Sequence, residues 1–445
     1  MKIDRRSFLA GSTALALPSW TSPAAAATVL RPEEFGARGD GITDDTAALQ
    51  RCLSTAPPGA IVQLRRGAVY RIDTNFEPTA GEWGGIKLTH RQILQLNGAE
   101  LKALPSRHIR GAVIQSRQAH GWRIEGPGRI TGERDIHLGK GGEWGMGIAV
   151  FGSRDWTIAP GVEITNCWGD GLYLGYTPDG SDFCENFVID AVHIWDCRRC
   201  GIAISAGRNG EIRNPHIHKI DGTAPAAGID IEADIASHAD AARLSNHNIR
   251  ITGGRIYEVQ IGVDIAQANE DILVSGMTIE ADNSGIIIAQ NAHRVNIVDN
   301  PSVRSTVGGR EGAALRTVVY DHSRSVSDVR IENNNFFGGG HFVLDVVGDD
   351  YRNFVVTGNR LHATHPGVLG VARLGRVTFV GNRCVMEPAS GRDGHFFLYA
   401  GHTTHGNNVY VNRTRFGMHS ILVRTRDLGG DRYEGPRLSR LVEPG

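Results

Sequence analysis

Lysine is almost missing from this chain: there are five among 445 residues (Lys2, Lys87, Lys102, Lys140 and Lys219), and the formal net charge is −1. With no basic run and no excess positive charge, nothing in the sequence tracks a phosphate backbone, and nucleic-acid binding is excluded as an expectation. Long apolar runs are missing too. None after the first residues approaches the roughly 18 needed to cross a bilayer, so no membrane anchor is expected. Cysteine is sparse, with six in all, and Cys197 and Cys200 form a lone C-x-x-C. No second C-x-x-C and no histidine pair at zinc spacing accompanies it, which argues against a zinc site or a disulfide framework. Cys167 and Cys197 each follow an isoleucine, Ile164 and Ile194, by three positions and should stack inside the fold as small apolar groups.

What the chain does have is glycine, 57 residues of it, and a short repeat. From Leu96 onward an apolar residue leads each unit, a Gly or Asn often follows, and a second apolar residue comes five or six places after the first. Leu96, Ile124, Ile158, Ile189, Ile212, Ile251, Val274, Ile297, Ile331, Val356, Phe379 and Val411 are the leaders, and four of the intervals are 23 residues. That period is too short for a helical-pair repeat or a propeller blade, and the units alternate like strands. An all-β, single-stranded parallel β-helix of about 12 coils follows, with stacking rather than any one coil making the core. Residues at equivalent positions of adjacent coils should then lie about 4.8 Å apart in columns.

The start of the chain reads Asp4-Arg5-Arg6-Ser7-Phe8-Leu9, then a mildly apolar run to Leu17, then Ala25-Ala26-Ala27. It resembles a twin-arginine export signal over residues 1–27, which implies a periplasmic or secreted protein. Residues 28–90 do not show the coil pattern and contain FGARGDGITDDTAALQ at 35–50. Phe-Gly-Ala-x-Gly-Asp-Gly followed by Thr-Asp-Asp-Thr resembles the N-terminal segment of the pectate-lyase superfamily, which includes the polygalacturonase-like hydrolases. The resemblance implies a right-handed coil, the hand that parallel crossovers also prefer. Physically the segment reads as a helix cap: Thr43 suits the N-cap, Asp44 and Asp45 suit the first turn, and the helix covers the end of the solenoid. The expected organisation is therefore signal peptide, cap segment over 28–90, β-helix over 91–420, and a C-terminal tail or end cap over 421–445. Within the coils, Gly358-Asn359 and Gly381-Asn382 read as turn corners needing positive φ.

A second strand class begins Gly-apolar-x-apolar at 147, 171, 201, 228, 262 and 285. Strand alternation sends the x positions outward, so Ala149, Tyr173, Ala203, Asp230, Asp264 and Ile287 form one exposed column, with Phe151, Gly175, Ser205, Glu232, Ala266 and Ala289 in the next. Carboxylates are depleted in strands, and Asp230, Glu232 and Asp264 crowded on one face repel one another unless a cation, a shared proton or a basic partner relieves them. That cluster is the candidate active site. The bland reading is an acidic ledge steadied by Arg199 or Arg208.

Asp170-Gly171 is similar to part of the Asn-Thr-Asp-Gly motif of the polygalacturonase-like hydrolases, which implies that Asp170 reaches over the same face. The rest of that signature is absent: Arg199-Cys200 stands in place of an Asp-Asp pair and Ala226-Ala227-Gly228 in place of Gly-His-Gly. Long connections at 131–146, 175–186 and 221–248 flank the face, as loops that build a cleft do. Five of seven tryptophans (Trp122, Trp144, Trp156, Trp168, Trp195) fall in this stretch with Tyr173 and Tyr176. Tyr173, Trp168 and Trp144, with Arg199 and Arg208, are the expected substrate-binding residues. His193 and His216 stack outward on another face beside Glu163 and Arg255 and read as a polar ladder, since the spacing supplies no third metal ligand.

Two chemistries fit the acidic column. Hydrolysis of a polysaccharide would use paired carboxyls from Asp170, Asp230, Glu232 and Asp264 and needs no cofactor. β-Elimination of a uronic-acid chain would use Ca²⁺ held by the carboxylates, with Arg199, Arg208 or Lys219 taking the proton. The resemblance leans toward the hydrolase, and a non-catalytic glycan-binding solenoid is a third reading. Related β-helix proteins often trimerise, so the resemblance also implies a homotrimer, although no seam in the sequence decides it. All of these placements depend on register, because a slip of one residue would turn Asp230 inward.

Overall fold

Every strand pairing among the described residues is parallel, and within each sheet a strand pairs with strands one coil before and one coil after it. The computed structural model describes residues 28–75, 84–107, 110–177, 182–233, 245–306, 312–319, 325–338, 343–347, 351–364, 367–371, 376–387, 394–399, 402–413, 418–422, 425–435 and 438–442. The export signal expected over 1–27 lies outside them. Three sheets of 19, 15 and 14 strands, here called A, B and C, run the length of the molecule. One coil visits them in turn, as in Gly207–Arg213 (A), His216–Ile220 (B) and Ala227–Ile231 (C), before the chain returns to A at Asn246–Thr252. This is the parallel β-helix that the period implied. No described helix is long and apolar enough to cross a membrane.

Isoleucine columns fill the interior. Ile212, Ile251 and Ile297 from sheet A, Ile194, Ile217 and Ile256 from B, and Ile202, Ile229 and Ile286 from C are all fully buried. The glycine that opens each sheet C strand is explained by this packing. A Cβ at Gly171, Gly201, Gly228 or Gly262 would lie 2.3–2.6 Å from Cγ2 of the sheet B isoleucine in the next coil, and 2.4–2.8 Å from a carbonyl oxygen of that same coil. Only hydrogen fits there. All six cysteines are free and buried, and Cys167 and Cys197 sit inside the core as expected.

Two of the twelve leaders are misplaced. Ile124 pairs in register with Leu94, not Leu96, and Phe379 pairs with His405, while Val411 belongs to sheet B. His405 is a buried polar residue at a core position, with Nδ1 2.8 Å from Asp431 Oδ2, so the apolar signal breaks there and slides to the next valine. The Gly-Asn corners also need revision. Gly358 and Gly381 do have positive φ, but Asn359 and Asn382 are buried and belong to a side-chain ladder. Asn300 donates from Nδ2 to Asn334 Oδ1 (2.7 Å), Asn334 to Asn359 (2.9 Å), Asn359 to Asn382 (3.0 Å), Asn382 to Asn408 (3.3 Å) and Asn408 to Asp431 (3.1 Å). Each Oδ1 also accepts a backbone N–H of the preceding coil, as Asn359 does from Asn334 at 2.9 Å. These bonds satisfy buried polar groups that a corner would otherwise strand.

Sheet strands begin at Val29–Leu30 and recur to Leu438–Val442, so residues on both sides of 91–420 already contribute coils. The helix α1, Thr46–Thr55, packs against the Ile86–Leu88 strand that ends sheet C. Its Gln50 replaces a strand there: Oε1 accepts the Lys87 N–H at 2.7 Å and Nε2 donates to the Lys87 carbonyl at 3.3 Å. Thr43 is not the N-cap. Asp40–Asp44 forms a strand paired with Val69–Ile72, and the helix starts after Asp45, whose carboxylate takes the Arg38 and Gly39 N–H groups instead. Asp40 and Asp44 likewise hold backbone N–H groups, of Ile42, Thr43 and Thr46.

Candidate functional site on sheet C

The expected column lies in one register: Ala149, Tyr173, Ala203, Asp230, Asp264 and Ile287 are successive Cα partners. Its exposure differs from the expectation. Asp230 is 2% exposed and Ala149 and Ala203 are buried, while Tyr173, Asp264 and Glu232 are half-buried. The outer face of sheet C carries its own apolar layer, in which Trp144 and Tyr173 pack over Ala112, Met146, Ala149 and Phe151, and Tyr173 and Ile261 pack with Cys200, Ala203 and Ala227. The carboxylates sit at the edge of that layer, where water is partly excluded.

Asp170 is fully buried and sits beside this column, the register partner of neither Asp230 nor Asp264. Arg199 joins the two coils. Its Nη1 lies 3.3 and 3.4 Å from the two oxygens of Asp170 and its Nη2 3.9 Å from Asp230 Oδ2, with Nε 3.7 Å from Glu143. Cys200 Sγ lies 3.8 Å from the same Asp230 oxygen. The other oxygen, Asp230 Oδ1, is buried and has no hydrogen-bond partner among the described residues. Glu232 is oriented by Gln267, whose Nε2 donates to it at 2.9 Å.

These surroundings favour protonated acids. Burial pushes Asp170 up to about 6, against the pull of Arg199. Burial and then Glu232 push Asp264 up to about 7. Asp230 is raised well above the usual carboxylate range by burial first, then by Asp264 and Glu232, with Arg199 opposing. Burial works against the charge of Arg199, but Asp170, Cys200 and Asp230 push its pKa up and hold it cationic. A buried cation and a set of carboxyls that titrate near neutrality can give and take protons at one place on the surface.

The aromatic expectations divide. Tyr173 lies on the face, its ring across Gly175, where a Cβ would come 2.5 Å from Tyr173 Cε1. Trp144 is half-buried beside it under the Arg110 guanidinium. Trp168 does not offer a face to a ligand: His137 stacks on one side at 4.1 Å and Arg198 lies over its ring at 4.1 Å. Trp122 and Trp156 stack inside the coil. Arg208 is on sheet A, in register with Glu185 and His247 and over the Phe183 ring, so it belongs to another sheet than the acidic column. The sequence offers Arg199 both as a ligand contact and as a cation steadying the acidic ledge; the structure places it beside the carboxylates, and what the sequence does not disclose is that it bridges Asp170 and Asp230. The signal was present, since the Asp-Asp of the resembled motif is replaced by a cation followed by Cys200.

On sheet B the expected pair His193 and His216 is in register and stacked, with ring centroids 4.4 Å apart. A third imidazole joins them. His218, two residues along the same strand, brings its Nε2 to 3.0 Å from His193 Nε2. The alternation His216-Ile217-His218 carried that signal, since both histidines must face outward if Ile217 faces in.

Residues 134–302 match a family described as right handed beta helix region. The curated protein YclG of Bacillus subtilis is 27% identical over 243 residues, half of this chain, and the chain spans 41% of that protein's length. Among solved structures, the A-module of the mannuronan C-5 epimerase AlgE6 of Azotobacter vinelandii aligns over 93% of this chain and 99% of its own with a TM-score of 0.55 and 15% identity. The surface adhesin PfbA of Streptococcus pneumoniae aligns over 92% and 93%, TM-score 0.51, 14% identity. The tailspike protein of E. coli bacteriophage HK620, solved in complex with a pentasaccharide, aligns over 92% and 80%, TM-score 0.55, 11% identity. At these identities the likeness is one of fold, and it makes the coil a right-handed parallel β-helix.

Proposed function

We propose that this chain is an exported carbohydrate-active enzyme that lays a polysaccharide along the outer face of sheet C and hydrolyses its glycosidic bonds. The observation that carries the reading is Asp230: a carboxyl 2% exposed, one oxygen unpartnered among the described residues, pressed against Asp264 and Arg199. A group so placed costs stability, and strained like-charge clusters favour functional sites. Asp264, raised to about 7, is half protonated at neutral pH and suits a general acid that gives its proton to the leaving oxygen. Glu232, beside it, takes the proton of the attacking water or attacks the sugar, the separation of the pair decides the stereochemistry, and Asp230, held protonated by its surroundings, serves as a hydrogen-bond donor. Tyr173 and Trp144 offer flat apolar surface next to the acids. The fold neighbours support a glycan ligand, since one is named for mannuronan and another holds a pentasaccharide.

Elimination with Ca²⁺ is the weaker reading. Of its three candidate bases, Arg208 lies on sheet A, Lys219 lies on sheet B, and Arg199 is held cationic by its carboxylates. A binding solenoid is the third, in line with the adhesin among the neighbours. Purified protein should be incubated with acidic and neutral polysaccharides, with and without EDTA, while reducing ends and ultraviolet absorbance of unsaturated product are followed together. Reducing ends without the ultraviolet signal, insensitive to EDTA and lost in Asp230→Asn, establish the hydrolase. An unsaturated product lost with EDTA makes the chain a calcium lyase, and binding without turnover makes it the solenoid binder.

A further inference from the structure

From the sheet B face, where sequence spacing gave only two histidines, we infer that His193, His216 and His218 form a binding site for a divalent transition-metal cation of the zinc class, separate from the acidic column. The three side chains come from two adjacent coils, in the strands His193–Cys197 and His216–Ile220. Each offers a ring nitrogen, and the three nitrogens lie within 4.8 Å of one another. Imidazole nitrogens around tetrahedral zinc stand about 3.3 Å apart at metal–nitrogen distances of about 2.0–2.1 Å. His193 Nε2 and His218 Nε2, 3.0 Å apart, already approach that spacing. The third nitrogen needs a movement of about 1.5 Å or less, within the reach of a ring rotation on a half-buried side chain.

The surroundings supply what such a site needs. With Nε2 facing the ion, the opposite nitrogen of His218, Nδ1, is buried with no hydrogen-bond partner among the described residues and lies 3.7 Å from Glu258 Oε2. A carboxylate behind a ligating imidazole fixes the ring and raises its basicity. Glu163 is the register partner of His193 and sits at the edge of the same face, already paired with Arg129 at 2.8 Å. Arg255, next in the ladder, is drawn off over the Tyr257 ring. Three imidazoles and no thiolate select borderline cations such as Zn²⁺, Ni²⁺ or Cu²⁺ over Ca²⁺ or Mg²⁺. With three protein ligands the ion keeps an open position for water, and because the ligands come from two coils it also staples those coils together.

The test uses untagged protein carrying residues 28–445, stripped with chelator and titrated calorimetrically with Zn²⁺, with Co²⁺ absorbance as a second readout. The expected result is one saturable site, a visible Co²⁺ band of four-coordinate ligation by three nitrogens and a water, and a higher unfolding midpoint with metal. His218→Ala should weaken binding about a hundredfold or more, and Glu258→Gln by about tenfold. His247→Ala, in the separate cluster with Glu270 and Asp271, should leave it unchanged. Asp230→Asn should also leave it unchanged. Absence of a saturable site in correctly folded protein, judged by circular dichroism, overturns the inference. Binding retained by His218→Ala, or lost in His247→Ala instead, overturns it equally.

Discussion

Asp230 and Asp264 are direct register partners in neighbouring coils of sheet C, two carboxyls stacked in one column with no basic residue between them in that column. Both are raised above their ordinary range. An acid whose folded pKa is raised lends its full stability only below the unfolded pKa and loses it as pH climbs through the folded value. Asp170 and Asp264 should therefore make the fold less stable as pH rises from about 4 to about 7, and Asp230 acts in the same direction. Asp264→Asn should raise the thermal midpoint at pH 8 by about 2–5 °C and leave it unchanged at pH 4. A calorimetric pH series checks this.

Removing Arg199 should act the other way. It is 17% exposed, and it pairs with the fully buried Asp170, so Arg199→Ala leaves an uncompensated charge. The cost should be about 3 kcal/mol at pH 8 and smaller at pH 5, where the carboxyls take up protons. Urea titrations at the two values measure it. Arg199→Lys should recover little, because a point charge does not reach Asp170 and Asp230 together, whereas Asp170→Asn in the Arg199→Ala background should recover most of it.

Tyr173 and Trp168 separate ligand contact from packing. Tyr173→Ala should weaken oligosaccharide binding by about tenfold, or 1.4 kcal/mol. Trp168→Ala, which strips the ring held between His137 and Arg198, should cost about 2 kcal/mol of stability and leave affinity unchanged. Calorimetric binding and chemical denaturation of the two variants distinguish these outcomes, and an affinity loss confined to Trp168→Ala would reverse the assignment.

The asparagine ladder should be the least tolerant polar element. Asn359→Ala removes the acceptor of the Asn334 N–H and Nδ2 and the donor to the Ile331 carbonyl. With about 1–3 kcal/mol for each buried group left unpaired, the loss should be about 3 kcal/mol or more. Hydrogen exchange should localise it to the coils on either side, because a solenoid fails between neighbours.

Which of these features the sequence discloses follows from what alternation reports. Alternation tells which residues share a face, so the column from Ala149 to Ile287 is legible to the residue. It does not tell what lies above the face, so Asp230 reads as exposed while Arg199 and Cys200 cover it. Apolar leaders mark the core only while the core is apolar. At His405 the interior turns polar and the pattern jumps to Val411. Glycine-asparagine pairs look alike whether the asparagine turns a corner or pairs with its counterpart one coil away, because the partner lies 23 or more residues distant. His218 was readable from its alternation with Ile217, but a search for spacing along the chain does not see ligands gathered across coils.

The run from Asn300 to Asp431 also gives the solenoid an electrical direction. Five carboxamides in file donate the same way, each from Nδ2 toward the later coil, so their dipoles add much as peptide dipoles do along a helix. The positive end of that line arrives at a carboxylate. Asp431 can accept from Asn408 and, through its other oxygen, from His405, but it has no amide to pass on. It works as both counter-charge and full stop, and a coil spliced in beyond it would meet an acceptor where every earlier junction presents a donor.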